Sequence, residues 1–150
     1  MTAGDAPQPL LLAIDHVGIA VPDLDEALDF YRATFGMELL HEETNEEQGV
    51  REAMLGTGTG TGTEDGARLQ LLAPLHDSSA IARFLERSGP GLQQLAYRVA
   101  DVEEAARVFR SRGVRVLYDE PRRGTAGSRI NFLHPKDCGG VLVELVEPPR

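Results

Sequence analysis

The sequence lacks three features that define common classes of protein. It has one cysteine, Cys138, which excludes an internal disulfide bond and a cysteine-rich zinc site. It has no excess of basic residues, since the formal net charge is −9, and this argues against a general binder of nucleic acid or of acidic membranes. Its N-terminal apolar run, residues 10–14, is too short for a signal peptide or a membrane span, so we expect a cytoplasmic protein.

The composition is otherwise ordinary for a globular protein. Hydrophobic residues make up 41% and charged residues 26% of the 150 positions. A chain of this length can bury a substantial core within one unit. We therefore predict a single domain that spans residues 1–150.

One stretch occurs twice and organises the chain. Residues 15–32 and residues 93–110 align at a constant offset without a gap. The matched pairs include Asp23 with Asp101, Ala27 with Ala105, and Arg32 with Arg110. Two copies are too few for a solenoid, so the repeat predicts one fold built from two halves, about 12–74 and 91–147.

Each half has the same order of predicted elements. An apolar strand leads, through an aspartate that can cap a helix, into an amphipathic helix and three more strands. Strands are expected at residues 11–21, 37–43, 49–55, 68–73, 93–99, 114–118, 128–133 and 140–146. One helix is expected to begin after Asp23 or Asp25 and to end at Gly36, and another is expected at 102–112. The connections comprise a flexible Gly-Thr segment at 56–62, a helix or linker at 78–87 and a basic turn at 121–127. The chain is therefore predicted to be α+β, with two βαβββ modules packed side by side.

Four polar residues interrupt otherwise apolar strands, and they form two matched pairs. His16 shares its position in the repeat with Gln94, and Gln70 shares its position with Glu144. A buried polar group is costly unless it is paired, so four at matched positions are expected to converge between the halves. One imidazole, two amides and one carboxylate form an oxygen-rich set that suits Mg²⁺, Mn²⁺ or Co²⁺ better than a structural zinc ion.

With these motifs in their order, the sequence resembles the methylmalonyl-CoA epimerases of the vicinal oxygen chelate superfamily. The resemblance covers about residues 12–147 and is carried by the segments 14–21, 46–52, 69–72, 118–121, 129–136 and 140–145. It implies two βαβββ modules that form a cupped mixed sheet around a metal, with the helices outside, often as a homodimer. It also implies an isomerase that interconverts the C2 epimers of an acyl-CoA, with His16, Gln70, Gln94 and Glu144 as the ligands of a divalent ion (Co²⁺, Mn²⁺ or Mg²⁺).

The resemblance also assigns roles to several charged residues. Glu52 matches the family's catalytic glutamate and would remove the C2 proton as a general base, giving an enolate. Glu144 is a candidate for the opposite face of C2, and Glu47 is a third. A group of basic residues in the second half could bind the anionic coenzyme A arm, namely Arg122, Arg123, Arg129 and Lys136.

The sequence departs from the family at one important place. Family members usually carry a His-His pair, the second of which is a metal ligand, where this chain has Gln93-Gln94. Three alternatives therefore stay open: an epimerase of another malonyl thioester, a metal-poor binding or resistance protein, and another metal-dependent reaction of the superfamily. A ring-cleaving dioxygenase needs two histidines and a carboxylate, and Gln94 removes one of those histidines.

Overall fold

The computed structural model describes residues 9–57 and 67–150, which form eight strands and three helices. The strands are β1 (Ala13–Ala20), β2 (Glu38–Asn45), β3 (Val50–Gly56), β4 (Arg68–Pro74), β5 (Gly91–Arg98), β6 (Arg122–Arg123), β7 (Arg129–Leu133) and β8 (Val143–Glu147). The helices are α1 (Leu24–Phe35), α2 (Ala80–Ser88) and α3 (Val102–Ser111). None of these helices is long and apolar enough to cross a membrane.

The repeated stretch folds identically in its two copies. The side chain of Asp23 accepts a hydrogen bond from the backbone N–H of Glu26 at 3.0 Å and caps α1. Asp101 accepts the equivalent bond from Glu104, also at 3.0 Å, and caps α3. Each cap satisfies one of the amides that a helix leaves free at its first turn, and this fixes where the strand stops and the helix begins.

The strands form one mixed sheet whose order reflects the duplication. The order is β2-β3-β4-β1-β5-β8-β7-β6, so each half contributes four adjacent strands. The first strands of the two halves, β1 and β5, pair antiparallel at the centre, and each pairs in parallel with the last strand of its own half. The curled sheet confirms the predicted pair of βαβββ modules.

Alternation along the strands separates a core face from a polar face. On the outer face, α1 packs on Leu71 and Leu55, and α3 packs on Leu145 and Leu133. The opposite, concave face carries the polar residues at the intervening strand positions. The third helix, α2, covers one end of the concave face by packing on the cluster Ala20, Val50 and Leu72.

The predicted strand at 114–118 is wrong in detail. Only Val116 makes a ladder contact, a single antiparallel bridge to Leu133. The side chain of Asn131 occupies the next rung, where it accepts from the Tyr118 N–H at 3.1 Å and donates to the Tyr118 carbonyl at 3.0 Å. The ladder resumes at β6, so the basic turn predicted at 121–127 contains a short strand instead.

Other predictions on connections have mixed outcomes. The helix or linker expected at 78–87 is the helix α2. Most of the Gly-Thr connection expected at 56–62 lies outside the described residues, as does the polar segment 1–8. The single domain over 1–150 stays a prediction.

Candidate active site

The four matched polar residues meet in the middle of the concave face. Gln70 of β4, Gly18 of β1 and Gln94 of β5 lie in one row of the sheet. The next row contains His16 of β1, Ala96 of β5 and Glu144 of β8. All four polar side chains are buried, with at most 9% of their surface exposed. The convergence predicted from the repeat is therefore present.

Two small residues create the space in which these side chains meet. A Cβ atom added to Gly18 would lie 2.5 Å from Cγ of Gln94, closer than two non-bonded carbon atoms can approach. Ala96, at the equivalent position of the second half, lies opposite His16 and is fully buried. Each large polar side chain thus passes over a small residue of the neighbouring strand.

The polar side chains touch one another directly. Nε2 of His16 lies 3.0 Å from Oε1 of Glu144, at an angle that makes no regular hydrogen bond within the described residues. Nε2 of Gln94 donates to the same oxygen of Glu144 at 3.0 Å and to Oε1 of Gln70 at 3.3 Å. A buried ring nitrogen that faces a carboxylate without a proper hydrogen bond is the arrangement expected of two ligands of one metal ion.

These residues fit a divalent ion. Two ligand atoms 3.0 Å apart match neighbouring positions on an octahedral ion whose bonds are about 2.1 Å long. The amide oxygens of Gln70 and Gln94 would complete a set of one nitrogen and three oxygens, which favours a hard ion over zinc. No three histidine, cysteine, aspartate or glutamate side chains in the described residues are placed to hold a metal ion by themselves, and half of this donor set is amide.

Asp15, which sequence analysis did not assign to the site, contacts the ring nitrogen of His16 that faces away from Glu144. Asp15 Oδ2 lies 2.7 Å from His16 Nδ1, while its Oδ1 accepts from Arg68 at 2.9 Å and from Arg98 at 3.1 Å. Burial alone would raise the pKa of Asp15, but the contact with His16 and the two arginines lower it to about 2. Burial alone would lower the pKa of His16, but the carboxylates of Asp15 and Glu144 outweigh it and raise it to about 9.

Glu52 lies inside the site rather than on the surface. Its side chain projects from β3 onto the concave face and is 4% exposed. Oε2 of Glu52 accepts from Nε2 of Gln70 at 3.2 Å, which joins the carboxylate to the row of predicted ligands. Burial raises the pKa of Glu52 to about 7, against the opposing effect of a hydrogen bond from Thr125. A carboxylate with a pKa near neutrality is suited to take up and release a proton.

A loop that sequence analysis did not assign to the site covers Glu52. Thr125 donates its hydroxyl proton to Oε1 of Glu52 at 2.6 Å and accepts from Nε2 of Gln70 at 2.7 Å. The next residue, Ala126, adopts a left-handed backbone with φ of 54°, and its N–H donates to Glu43 on β2. The loop between β6 and β7 is therefore fastened to the first half of the chain on both sides of Glu52.

A cavity of about 130 Å³ opens beside Glu52 and Glu144. Apolar side chains form much of its wall, among them Leu72, Ile81 and Phe132. A small acyl group with one polar end could lie here, with its polar end on the amides and carboxylates and its apolar end on the wall.

The structure does not bring the remaining predicted site residues into this cluster. Glu47 is exposed in the turn after β2, where its carboxylate lies 3.9 Å from Arg122. Arg122 stacks on the ring of Tyr118, a residue of the cavity wall, at 3.9 Å from the ring centre. The other three basic residues are exposed and do not form one cluster: Arg123 contacts Glu43, Arg129 contacts Glu103 and Glu147, and Lys136 lies in the turn after β7.

Comparison with known proteins identifies the family to which this fold and polar cluster belong. The family model of the Glyoxalase/Bleomycin resistance protein/Dioxygenase superfamily matches residues 15–132, and the chain belongs to this family. Members of the family generally use a divalent metal ion. The chain is thus a protein of the vicinal oxygen chelate superfamily. The relatives that are similar to it narrow the activity further.

Several of those relatives are methylmalonyl-CoA epimerases. The ethylmalonyl-CoA/methylmalonyl-CoA epimerase of Cereibacter sphaeroides is 38% identical over 134 residues, covering 88% of this chain and 95% of its own length. The crystal structure of methylmalonyl-CoA epimerase from Mycobacterium tuberculosis is 54% identical, with a TM-score of 0.87 over 97% of this chain and 93% of that chain. A Streptomyces coelicolor methylmalonyl-CoA epimerase in complex with 2-nitronate-propionyl-CoA is 53% identical, with a TM-score of 0.87 over 93% of this chain and 99% of that chain.

These likenesses confirm the predicted family, fold and enzyme class. Relatives of this kind are isomerases that act on an acyl-CoA. The roles of individual site residues stay predictions, since the likenesses assign none of them.

Proposed function

We propose that this chain interconverts the (2R) and (2S) epimers of methylmalonyl-CoA by moving the proton at C2. The observation that carries the proposal is the placement of two buried carboxylates on either side of a pair of amides. Glu52 contacts Gln70, Gln70 contacts Gln94, and Gln94 contacts Glu144, at 3.2, 3.3 and 3.0 Å. Substrate bound at the amides would have one carboxylate on each face of its C2 carbon, as an epimerisation requires.

Glu52 is the first of the two proton carriers. In one direction its ionised carboxylate takes the C2 proton, and the electron pair moves into the thioester to give the enolate. A proton then returns to C2 from the opposite face, where Glu144 is the candidate carrier, and the reverse direction exchanges the roles of the two faces. A pKa of about 7 leaves both protonation states of Glu52 populated at neutral pH. Thr125 fixes Oε1 of Glu52 and so limits the rotation of the carboxylate.

A divalent ion fits beside these carriers. His16, Gln70, Gln94 and Glu144 would hold it, and the oxygen-rich set makes Mg²⁺ or Mn²⁺ better suited than Co²⁺. When bound, the ion would neutralise the negative charge that develops on the substrate oxygens. The protein residues supply the geometry: Asp15 orients His16, and Gly18 leaves room for Gln94.

The coenzyme A arm is proposed to leave the cavity past Tyr118 and Arg122. Arg122 is the member of the predicted basic group that adjoins the cavity wall, through its contact with the Tyr118 ring. The roles suggested for Arg123, Arg129 and Lys136 have no support from their contacts within the described residues. A homodimer and a cytoplasmic location stay predictions.

A second candidate substrate is ethylmalonyl-CoA. The wall of the cavity is apolar where the C2 substituent would lie, and one additional methylene in such a wall changes binding by only about 1 kcal/mol. The similar Cereibacter sphaeroides enzyme is named for both thioesters. The alternative of a binding or resistance protein has less support, since the epimerase relatives are isomerases and Glu52 is buried in contact with Gln70, a predicted ligand.

The proposal is tested with purified protein after metal analysis. Methylmalonyl-CoA of one configuration is incubated with Mn²⁺, Co²⁺ or Mg²⁺, and formation of the other epimer is followed by chromatography of the separated diastereomers. Wild-type protein is expected to epimerise it, and Glu52→Gln is expected to be slower by about 10²-fold or more. Glu46→Gln, a change of an exposed acid in the neighbouring turn, serves as the matched control. No epimerisation by wild-type protein with any of the three ions would refute the proposal.

A further inference from the structure

The two central strands carry a β-bulge at the same position of the repeat. Between Ile14 and His16 the register with β5 shifts, which leaves Asp15 as the extra residue of β1. Between Gly18 and Ile19 it shifts in the opposite sense, which leaves Gln93 as the extra residue of β5. Asp15 and Gln93 correspond in the duplicated sequence, and each immediately precedes a predicted metal ligand. Bulges beside functional sites commonly redirect a side chain.

In the first half, the bulge residue supports its neighbour. Asp15 and His16 line the same cavity, and the carboxylate of Asp15 lies 2.7 Å from His16 Nδ1. The proton on Nδ1 then faces Asp15, which leaves Nε2 to face Glu144. A carboxylate that fixes the orientation of a ligand histidine is a common feature of metal sites in proteins.

In the second half, the bulge residue has an unused acceptor. Gln93 and Gln94 line the same cavity beside Glu144. Oε1 of Gln93 is buried and has no hydrogen-bond partner in the described residues. Leaving a buried amide oxygen without a donor is unfavourable, so a donor is expected to reach it in the working state of the site.

Gln94 is the donor that needs such an acceptor. Its Nε2 now donates to Gln70 and Glu144, both of which are candidate ligands. An amide coordinates a cation through its oxygen, so coordination requires the side-chain amide of Gln94 to turn over. Its N–H groups then face away from Gln70 and Glu144 and lose both acceptors.

We propose that Gln93 is the positioning residue of Gln94, as Asp15 is of His16. In the metal-loaded site, Oε1 of Gln93 accepts a hydrogen bond from Nε2 of Gln94, and this holds Oε1 of Gln94 toward the ion. The Gln93-Gln94 pair is then one unit in which an amide supports an amide ligand. This inference rests on the metal site of the proposed function, and it concerns coordination rather than proton transfer.

The test measures binding of Mn²⁺ alone by calorimetry and by electron paramagnetic resonance, with no substrate present. Gln93→Leu removes the acceptor at similar volume, and Gln93→Glu restores an acceptor oxygen. Loss of such a supporting contact typically weakens metal affinity by about 10–100-fold. Gln48→Leu is the matched control, because Gln48 also lines this cavity and carries an unpartnered amide donor, Nε2, but hydrogen-bonds to neither Gln93 nor Gln94 within the described residues. Far-ultraviolet circular dichroism checks that each variant is folded.

The expected result is an increase of about 10-fold or more in the Mn²⁺ Kd for Gln93→Leu, with affinity close to wild type for Gln93→Glu and Gln48→Leu. In a Gln94→Ala background, Gln93→Leu should have no further effect, since it acts through Gln94. Unchanged affinity in Gln93→Leu, an equal loss in the Gln94→Ala background, or wild-type protein that binds no Mn²⁺ would each overturn the inference. Epimerisation by wild-type protein that binds no Mn²⁺ would overturn this inference alone, whereas Mn²⁺ binding with the expected coupling but without epimerisation would count against the proposed function alone.

Discussion

Thr125 and Glu52 lie in different halves of the chain, and the hydroxyl of Thr125 donates to Oε1 of Glu52 at 2.6 Å. Glu52 of β3 pairs with Leu72 as Ile130 of β7 pairs with Val146, so Glu52 corresponds in the second half to Ile130, which has no titratable group. The duplication therefore supplies a nearly symmetrical set of ligands but an asymmetrical base. Thr125 is the contribution of the second half to that base, and its effect on the pKa of Glu52 can be measured.

Thr125→Val should shift the acid limb of the pH–rate profile to higher pH. The lost hydrogen bond stabilises the ionised form of Glu52, so its removal raises a pKa that is already about 7. A hydrogen bond worth about 0.5–1.5 kcal/mol corresponds to about 0.4–1 pH unit. The measurement is kcat/KM from pH 5.5 to 9.

Thr125→Ser is the control for that shift, since it keeps the hydroxyl and loses only a methyl group. Its acid limb should stay near that of wild type. Equal shifts in the serine and valine variants, or no shift in either, would show that the hydroxyl does not act on the group that limits the rate at low pH.

Glu52→Gln should make the metal-free protein more stable at high pH. Because the pKa of Glu52 is raised from 4.5 to about 7 in the folded state, the folded protein binds more protons than the unfolded chain between these pH values. Wild-type stability therefore falls as pH rises through this window, and the variant does not share the loss. The free energy of unfolding of the variant, relative to that of wild type, should therefore rise by up to about 3 kcal/mol between pH 4.5 and pH 8.

Urea unfolding in the presence of a chelator, at pH 4.5 and pH 8, measures this difference. Glu46→Gln, in an exposed turn, should show no comparable dependence on pH. A difference between Glu52→Gln and wild type that is the same at both pH values would mean that Glu52 titrates normally in the folded protein.

Metal binding should release the proton of His16. The two carboxylates beside His16 raise its pKa to about 9, so the ring is protonated at neutral pH, and a ligand histidine must be neutral. Between pH 6 and 8 the affinity for Mn²⁺ should rise about tenfold per pH unit. Calorimetry in two buffers of different ionisation enthalpy should give about one proton released per ion at pH 7, both in wild type and in Glu52→Gln. No release would contradict the assignment of His16 as a ligand.

The repeat made the fold and the four converging polar residues predictable. His16 matches Gln94 within the gap-free repeat, and Gln70 matches Glu144 when the last strands of the two halves are aligned at an offset four residues shorter. Glu52 could be singled out through its resemblance to a family motif, but its burial could not be, because burial depends on the loop that covers it.

The sequence alone could not locate the contacts that depend on irregular backbone. Thr125 reaches Glu52 through a loop in which Ala126 has a left-handed conformation, and no residue type there signals it. Asp15 reaches His16 because the bulge in β1 lets these two consecutive residues line the same cavity. The predicted basic residues do not form one cluster because their arginines pair with separate acids, as Arg129 does with Glu103.

The central claim is that Glu52 serves one face of C2, and proton exchange in D₂O tests it most directly. Each epimer of methylmalonyl-CoA is incubated separately with metal-loaded protein, and deuterium at C2 is followed by NMR. Wild-type protein should exchange and epimerise both. Glu52→Gln should lose epimerisation and should exchange at most one epimer, with retention of configuration, through the remaining carrier. Exchange and epimerisation of both epimers at the wild-type rate in Glu52→Gln would contradict the account.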